Sequence, residues 1–285
     1  MTITKRKVHT GAYETFIHEG GAGNSETILF LHGSGPGASA SSNWQGVLAE
    51  YAENFHVIAP DILGFGETDH PTEYPVNGAQ WMNSRIEQVL NLLDALDLEK
   101  VHLVGNSLGG VISLFLAMDT PDRFDRIVLM GAGGGLTEPT PELSKLANFH
   151  KDPTAKALRN LLSWFLYDTT GMEEKLDSIV EERMEMFNRP EVRKSYEENF
   201  SKTQLSDMLV PPSALKRMKH EFFLIHGHQD RFVPLASSLY VMEYLENAEL
   251  HVFKQCGHWA QIEQREQFIK LTQDFFNRNK VLNRV

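Results

Sequence analysis

Short runs of β-branched or apolar residues recur along the chain at 27–31, 56–59, 101–104, 127–130, 222–225 and 250–253, each bounded by glycine or a polar turn. They are hydrophobic without clean alternation, the pattern of strands buried on both faces, and so predict a mostly parallel sheet. Helical patterns lie between them. Ile86, Val89, Leu90, Leu93 and Leu96 recur at spacings of three and four and form one apolar stripe that can pack on a sheet. Helix following strand, repeatedly, predicts the α/β class.

The alternation stops after Met130. Residues 131–210 contain no convincing strand, begin with Gly133-Gly134-Gly135 and Pro139-Thr140-Pro141, and close at Pro211-Pro212. Within them, 155–167 and 173–188 read as helices. The expected organisation is a helical lid at 134–210, over the C-terminal edge of the sheet, inserted between core segments 1–133 and 211–285. A chain of 285 residues is long enough for one large α/β domain carrying such an insertion.

Composition narrows the partners. At 41% hydrophobic and 23% charged residues the chain lies in the ordinary globular range. Its net charge of -11 repels nucleic-acid phosphates and anionic lipid surfaces. The densest basic group, Lys216-Arg217-Met218-Lys219, reads as a solvated turn. The N-terminus, Met1-Thr2-Ile3-Thr4-Lys5-Arg6-Lys7, leads into mixed polar sequence rather than an apolar signal core, and nowhere do eighteen apolar residues run together. A cytoplasmic protein without nucleic-acid or membrane partners is expected. The single cysteine, Cys256, makes no internal disulfide.

The decisive motif is Gly105-Asn106-Ser107-Leu108-Gly109-Gly110. It follows the strand at 101–104 and precedes an apolar helix at 111–118, the strand-turn-helix context of a G-x-S-x-G nucleophile elbow. A serine hydroxyl needs a base within hydrogen-bond reach and a carboxylate that sets the tautomer of that base. In this fold the order along the chain is serine, acid, histidine. Asp230 follows the strand at 222–225, and His258 follows the last strand in the glycine-bearing loop Lys254-Gln255-Cys256-Gly257-His258-Trp259. Ser107 is thus expected as nucleophile, Asp230 as acid and His258 as base. An oxyanion hole needs two convergent N–H donors. One is expected from Leu108, the other from Ser34 or Gly35 in the loop His32-Gly33-Ser34-Gly35-Pro36-Gly37.

Rival signals are weaker. Neither that loop nor Gly131-Ala132-Gly133-Gly134-Gly135 fits a nucleotide-binding pattern. His226, His228 and Asp230 have a spacing seen in zinc sites, but no further histidine-rich segment supplies the remaining ligands. Cys256 reads as a small packing residue, with no second histidine placed to activate it.

At this point the chain resembles the meta-cleavage product hydrolases, carbon–carbon bond hydrolases of the α/β-hydrolase superfamily that act in bacterial aromatic catabolism. The segment His32-Gly33-Ser34-Gly35-Pro36-Gly37-Ala38 followed by Asn43, the Asn106 before the nucleophile, and Trp259 in Gly257-His258-Trp259-Ala260-Gln261 carry the likeness, which runs from Leu29 to Phe276. The resemblance implies a 2-hydroxy-6-oxohexa-2,4-dienoate substrate, cleaved to 2-hydroxypenta-2,4-dienoate and a carboxylic acid. It also implies that Arg183, Asn106, Asn43 and Trp259 hold the carboxylate and 2-oxygen end, with Arg189 and Arg193 as competitors for the anion. The lid departs from the family in length just after Tyr167, which leaves contacts from Thr169 or Thr170 open.

The implied chemistry is ketonisation of the dienol, attack of Ser107 on the 6-carbonyl, carbon–carbon cleavage to an acyl-enzyme, and hydrolysis. No metal or organic cofactor enters it, and a homodimer is implied by the same analogy. A serine carboxylesterase of this fold and a low-turnover ligand-binding member are the alternatives; a haloalkane dehalogenase is disfavoured because its nucleophile is aspartate. The substituent on the 6-carbon is left open.

Overall fold

The structure is a computed structural model that describes residues 1–278, so 279–285 of the expected second core segment lie outside the described residues. Eight strands make one sheet: β1 (Thr4–Thr10), β2 (Tyr13–Gly20), β3 (Thr27–Leu31), β4 (His56–Pro60), β5 (Val101–Asn106), β6 (Phe124–Met130), β7 (Phe222–Gly227) and β8 (Ala248–Phe253). Their spatial order is β1-β2-β4-β3-β5-β6-β7-β8. The ladder from β4 to β8 is parallel, and β1 and β2 add an antiparallel edge. That edge hairpin is an addition to the expected strands.

The predicted two-sided burial is present. In β3, Ile28 and Phe30 enter a cluster with Trp44, Tyr51 and Phe268, while Leu29 and Leu31 enter another with Ile86, Val89 and Ile112. The first is supplied by α1 (Ala40–Trp44), α2 (Leu48–Tyr51) and α12 (Arg265–Phe276). The second draws on α3 (Gly78–Ala95), α4 (Leu108–Asp119) and α10 (Leu235–Tyr244). Each such large apolar side chain contributes about 1.5–3 kcal/mol by leaving water. The sheet therefore needs no polar face, which is why its strands lack alternation.

Residues 131–210 contain no strand among the described residues. They form α5 (Pro141–Ala147), α6 (Ala155–Ser163), α7 (Glu173–Phe187) and α8 (Pro190–Lys202), after which come α9 (Pro212–Leu215) and, beyond β8, α11 (Ala260–Glu263). The helix expected over 155–167 ends earlier, at Ser163, because the chain turns at Trp164 to lay Phe165 and Leu166 against the core. α5 and α8 were not foreseen. Both start with proline in the first turn, where its missing N–H costs nothing, and Thr140 caps α5 by accepting from Leu143 N–H.

The topology positions the site. β3 has β4 on one side and β5 on the other, so the connections leaving β3 and β5 diverge, and the crevice at their carboxyl ends is the place such sheets bind ligands. The register pairs Leu31 with Gly105, Asn106 with Met130, Met130 with Ile225 and Gly227 with Phe253. The loops after β3, β5, β6, β7 and β8 therefore open side by side. Leu158, Leu162, Phe187 and Tyr196 of α6, α7 and α8 share one cluster with Phe232, Val233 and Trp259 of those loops.

Candidate active site

Ser107 sits between β5 and α4 with φ 52° and ψ -114°, a conformation that costs an L-residue on the order of 1–3 kcal/mol. The surroundings hold it there. Its N–H donates to Met130 O at 3.0 Å and its carbonyl accepts from Val111 N–H at 3.1 Å. The turn requires glycine behind it, since a β-carbon on Gly109 would lie 2.1 Å from Leu31 O. As the first residue of α4, Leu108 has an N–H with no partner inside the helix, at the positive end of the helix dipole. That is the donor an oxyanion needs.

Asp230 follows β7 in a turn closed by its own N–H to Gly227 O at 3.0 Å. Its Oδ1 accepts from Phe232 N–H at 2.8 Å and Val233 N–H at 3.0 Å. Its Oδ2 accepts a hydrogen bond from His258 Nδ1–H at 2.6 Å, and both side chains are buried. A carboxylate so occupied fixes the tautomer that leaves Nε2 free to accept a proton. The pair lies against the elbow. A β-carbon on Gly131, the residue after Met130, would be 3.0 Å from His258 Nδ1 and 3.2 Å from Asp230 Oδ2. His226 does not join a metal site: its Nδ1 meets Ser238 Oγ at 2.8 Å, its Nε2 meets Val233 O at 2.9 Å, and His228 is exposed. Burial drives the His226 pKa down. Cys256 is buried and its thiol pKa is raised by that burial, so it is packing.

His32 has a role its sequence did not disclose. Its Nε2 accepts from Ile62 N–H at 2.9 Å, so Nδ1 carries the proton and donates to Gly33 O at 2.8 Å. Burial lowers its pKa to about 3, which keeps the ring neutral. It is a strut for the loop. Gly33 N–H is already taken by Asn43 Oδ1 at 2.8 Å. Ser34 lines a cavity together with Ser107 and Leu108, whereas Gly35 faces Arg183, whose Nη1 would lie 3.4 Å from a β-carbon there.

Arg183 is buried, 3% exposed, on α7. Its Nη2 donates to Ser42 Oγ at 3.2 Å, and its guanidinium carbon lies 5.2 Å from the Trp259 ring centroid. Among the described residues no carboxylate lies within ion-pair distance of it, and its Nε and Nη1 have no partner. Burial lowers its pKa to about 10, so it stays charged at neutral pH. Nearby buried atoms are equally unspent: Asn43 Nδ2, Asn106 Oδ1 and Gln261 Oε1. Asn106 Nδ2 is held by Met130 O at 3.0 Å, and Gln261 Nε2 by Asn43 O at 3.3 Å. A buried cation and several unpaired polar atoms are unfavourable unless ordered water or a hydrogen-bonding ligand completes them, and an anion meets the guanidinium best. Gln261 and Ser42 were not expected in the site. The competing arginines are surface residues: Arg189 pairs with Glu67 at 2.7 Å and Arg193 is exposed. Thr170 is exposed, bonded to Asp168.

A second environment also adjoins Ser107. A largely apolar cavity of about 180 Å³ runs from Ser34, Ser107 and Leu108 to Val111, Pro139, Leu143, Ala147, Phe200, Leu205, Met208 and Val233, with Ser144, Thr203 and Gln204 adding neutral polar groups. Among the described residues no charged side chain lines it. The larger hollows beside Glu67 and Arg189, and along α6 and α7, hold no triad residue.

The α/β-hydrolase fold family matches residues 26–264. The chain is 37% identical over 273 residues to the 2-hydroxy-6-oxo-2,4-heptadienoate hydrolase of Pseudomonas putida, covering 95% of each chain. The solved 2-hydroxy-6-oxo-6-phenylhexa-2,4-dienoate hydrolase of a Rhodococcus species superposes with a TM-score of 0.93 at 38% identity, over 97% of this chain and 99% of that one. A meta-cleavage product hydrolase of Pseudomonas fluorescens gives a TM-score of 0.87 at 33% identity, over 96% and 98%. With an elbow serine, a buried histidine–aspartate pair and a fold shared along nearly its whole length, the chain belongs to the α/β-hydrolase family and, within it, to the meta-cleavage product hydrolases.

Proposed function

We propose that this protein hydrolyses the carbon–carbon bond of 2-hydroxy-6-oxohexa-2,4-dienoates, giving 2-hydroxypenta-2,4-dienoate and a carboxylic acid. One observation carries the reading beyond a generic esterase. Ser107 lines a largely apolar cavity and directly follows Asn106, one of the unpartnered buried polar residues near Arg183, so the two environments that the two ends of such a substrate require both adjoin it. A neutral ester makes no use of an uncompensated buried guanidinium.

In this scheme Arg183 holds the substrate carboxylate, with Asn43, Asn106 and Gln261 at the 2-oxygen and Trp259 stacked beneath the guanidinium. Their hydrogen bonds favour the keto form, in which the proton of the 2-hydroxyl has moved to carbon 5. His258 then takes the Ser107 proton as the oxygen attacks the 6-carbonyl. The oxyanion rests on Leu108 N–H and a donor of the 34–35 loop, for which lining of the cavity supports Ser34. The bond between carbons 5 and 6 breaks, its electron pair returns to the dienolate, and His258 supplies the proton. Water activated by His258 then releases the acid from Ser107. No metal or cofactor is required.

The cavity supports a neutral substituent on the 6-carbon. An engineered apolar cavity of about 150 Å³ holds benzene. At about 180 Å³, with no cation to meet a carboxylate, this one suits alkyl or phenyl groups. The lid at 134–210, a homodimer and a cytoplasmic location belong to the same proposal, supported respectively by the strand-free 131–210 segment and by family resemblance; among the described residues no helix is long and apolar enough to cross a membrane. A panel of ring-cleavage products bearing hydrogen, methyl, phenyl or carboxyethyl at carbon 6 tests the reading. It predicts the highest kcat/KM for methyl or phenyl. No turnover of any member, alongside turnover of simple esters, would reject it.

A further inference from the structure

The loop that carries His258 is bound to the lid through a carboxylate that the scheme above does not use. Glu263, the last residue of α11, is half-buried. One of its oxygens accepts from Gly257 N–H at 2.6 Å, immediately before His258; the other accepts from Tyr167 N–H at 2.7 Å, in the lid segment after α6. Burial raises its pKa against the opposing pull of these bonds.

The same two strips of chain meet elsewhere. His258 N–H donates to Phe165 O at 2.7 Å. The Phe165 ring stacks on Phe232 at 3.8 Å and on Trp259 at 4.5 Å between centroids. Gly257 lets the backbones touch, since a β-carbon there would lie 2.4 Å from Phe165 O. A glycine makes the loop pliable as well as thin, so an external tie must set its conformation. Glu263 supplies that tie at the residue adjoining the base.

We infer that Glu263 is a positioning residue, clasping residues 165–167 of the lid to the His258 loop and so aligning His258 with Ser107 only when the lid is seated. It touches no substrate atom and acts through His258. The inference rests on the triad reading given above, so its test begins from Ser107 itself.

Sulfonylation of Ser107 by phenylmethanesulfonyl fluoride in the full-length protein depends on His258 but needs neither Arg183 nor a dienoate. Misplacing a catalytic group by about 1 Å costs on the order of 100-fold. Glu263→Ala is expected to slow sulfonylation about tenfold or more, and to lower kcat on dienoate and on p-nitrophenyl acetate in proportion, with KM within about twofold. The downfield proton resonance of His258 Nδ1–H should move or broaden. Glu263→Gln, which keeps one acceptor oxygen, should recover part of the rate; if the alanine variant does not fold, the glutamine variant makes the same comparison against wild type. A folded variant of either kind with the wild-type sulfonylation rate and an unmoved resonance overturns the assignment. So does a loss confined to KM. Wild-type protein that is not labelled at Ser107 rejects the triad reading and this inference with it.

Discussion

The Arg183 guanidinium lies 5.2 Å from the centroid of the Trp259 ring, so a charge carried by α7 rests on the residue that directly follows His258. The Ser42 bond takes up Nη2 alone and leaves Nε and Nη1 buried without partners. Arg183→Gln removes the charge and keeps a hydrogen-bonding side chain. A charge-assisted contact is worth about 1.5–3 kcal/mol, so dienoate kcat/KM should fall roughly 10- to 150-fold. Hydrolysis of p-nitrophenyl acetate should be nearly unchanged. Equal losses on both substrates would make Arg183 a structural residue.

Asp230→Asn tests the acid. The amide would present a donor or a neutral acceptor where His258 Nδ1 now meets a carboxylate at 2.6 Å, and the imidazole would lose its required tautomer. On the pattern of a serine protease, kcat should fall by about 10⁴ with the fold retained. Steady-state kinetics beside circular dichroism decides it; a variant within about threefold of wild type would mean another acid serves His258.

The apolar cavity yields a size prediction. Ala147 lines it together with Ser107, and Ala147→Phe would fill much of its roughly 180 Å³. Overpacking costs about 1–3 kcal/mol where room is lacking. Turnover of the 6-phenyl substrate should drop about tenfold or more while the 6-methyl substrate is largely spared. Parallel losses for both would place the substituent elsewhere.

His32 makes stability depend on pH. Its pKa is about 3 in the fold, against the ordinary value of 6.5, because burial disfavours the cation. As pH falls below 6.5 the unfolded chain takes up a proton the folded chain refuses, so the stabilisation present above that pH is lost on acidification, by about 1.4 kcal/mol per pH unit. Denaturant titrations between pH 6 and 4 should show a shallower loss for His32→Gln than for wild type, by about one proton. Superimposable slopes would mean that His32 is not buried neutral.

What the sequence disclosed follows its physics. The six parallel strands and the strained turn at Ser107 were legible because two-sided burial writes continuous apolar runs and strained turns demand glycine locally. β1 was not, since only Val8 and Thr10 of its seven residues are buried and an exposed edge strand leaves no apolar run. α8 left only a thin signal, since most of its residues are charged or polar and its apolar stripe is just Val192, Tyr196 and Phe200. Glu263 and Gln261 take partners 96 and 218 positions away, pairings that no local pattern encodes. His32 was noticed for its place in the loop, but its neutral, strutting role depends on Ile62 N–H, thirty residues on.

On the proposed function, Ser107, which lines the largely apolar cavity and follows Asn106 near the Arg183 cluster, breaks a carbon–carbon bond. The direct measurement mixes purified protein with the yellow 2-hydroxy-6-oxo-6-phenylhexa-2,4-dienoate and quantifies products as the colour fades. The account predicts one benzoate and one 2-hydroxypenta-2,4-dienoate per substrate consumed, with the rate reduced on the order of 10³-fold or more in Ser107→Ala. A dienoate that stays yellow under wild-type protein, while p-nitrophenyl acetate is hydrolysed in a Ser107-dependent way, would contradict it and make the protein an esterase.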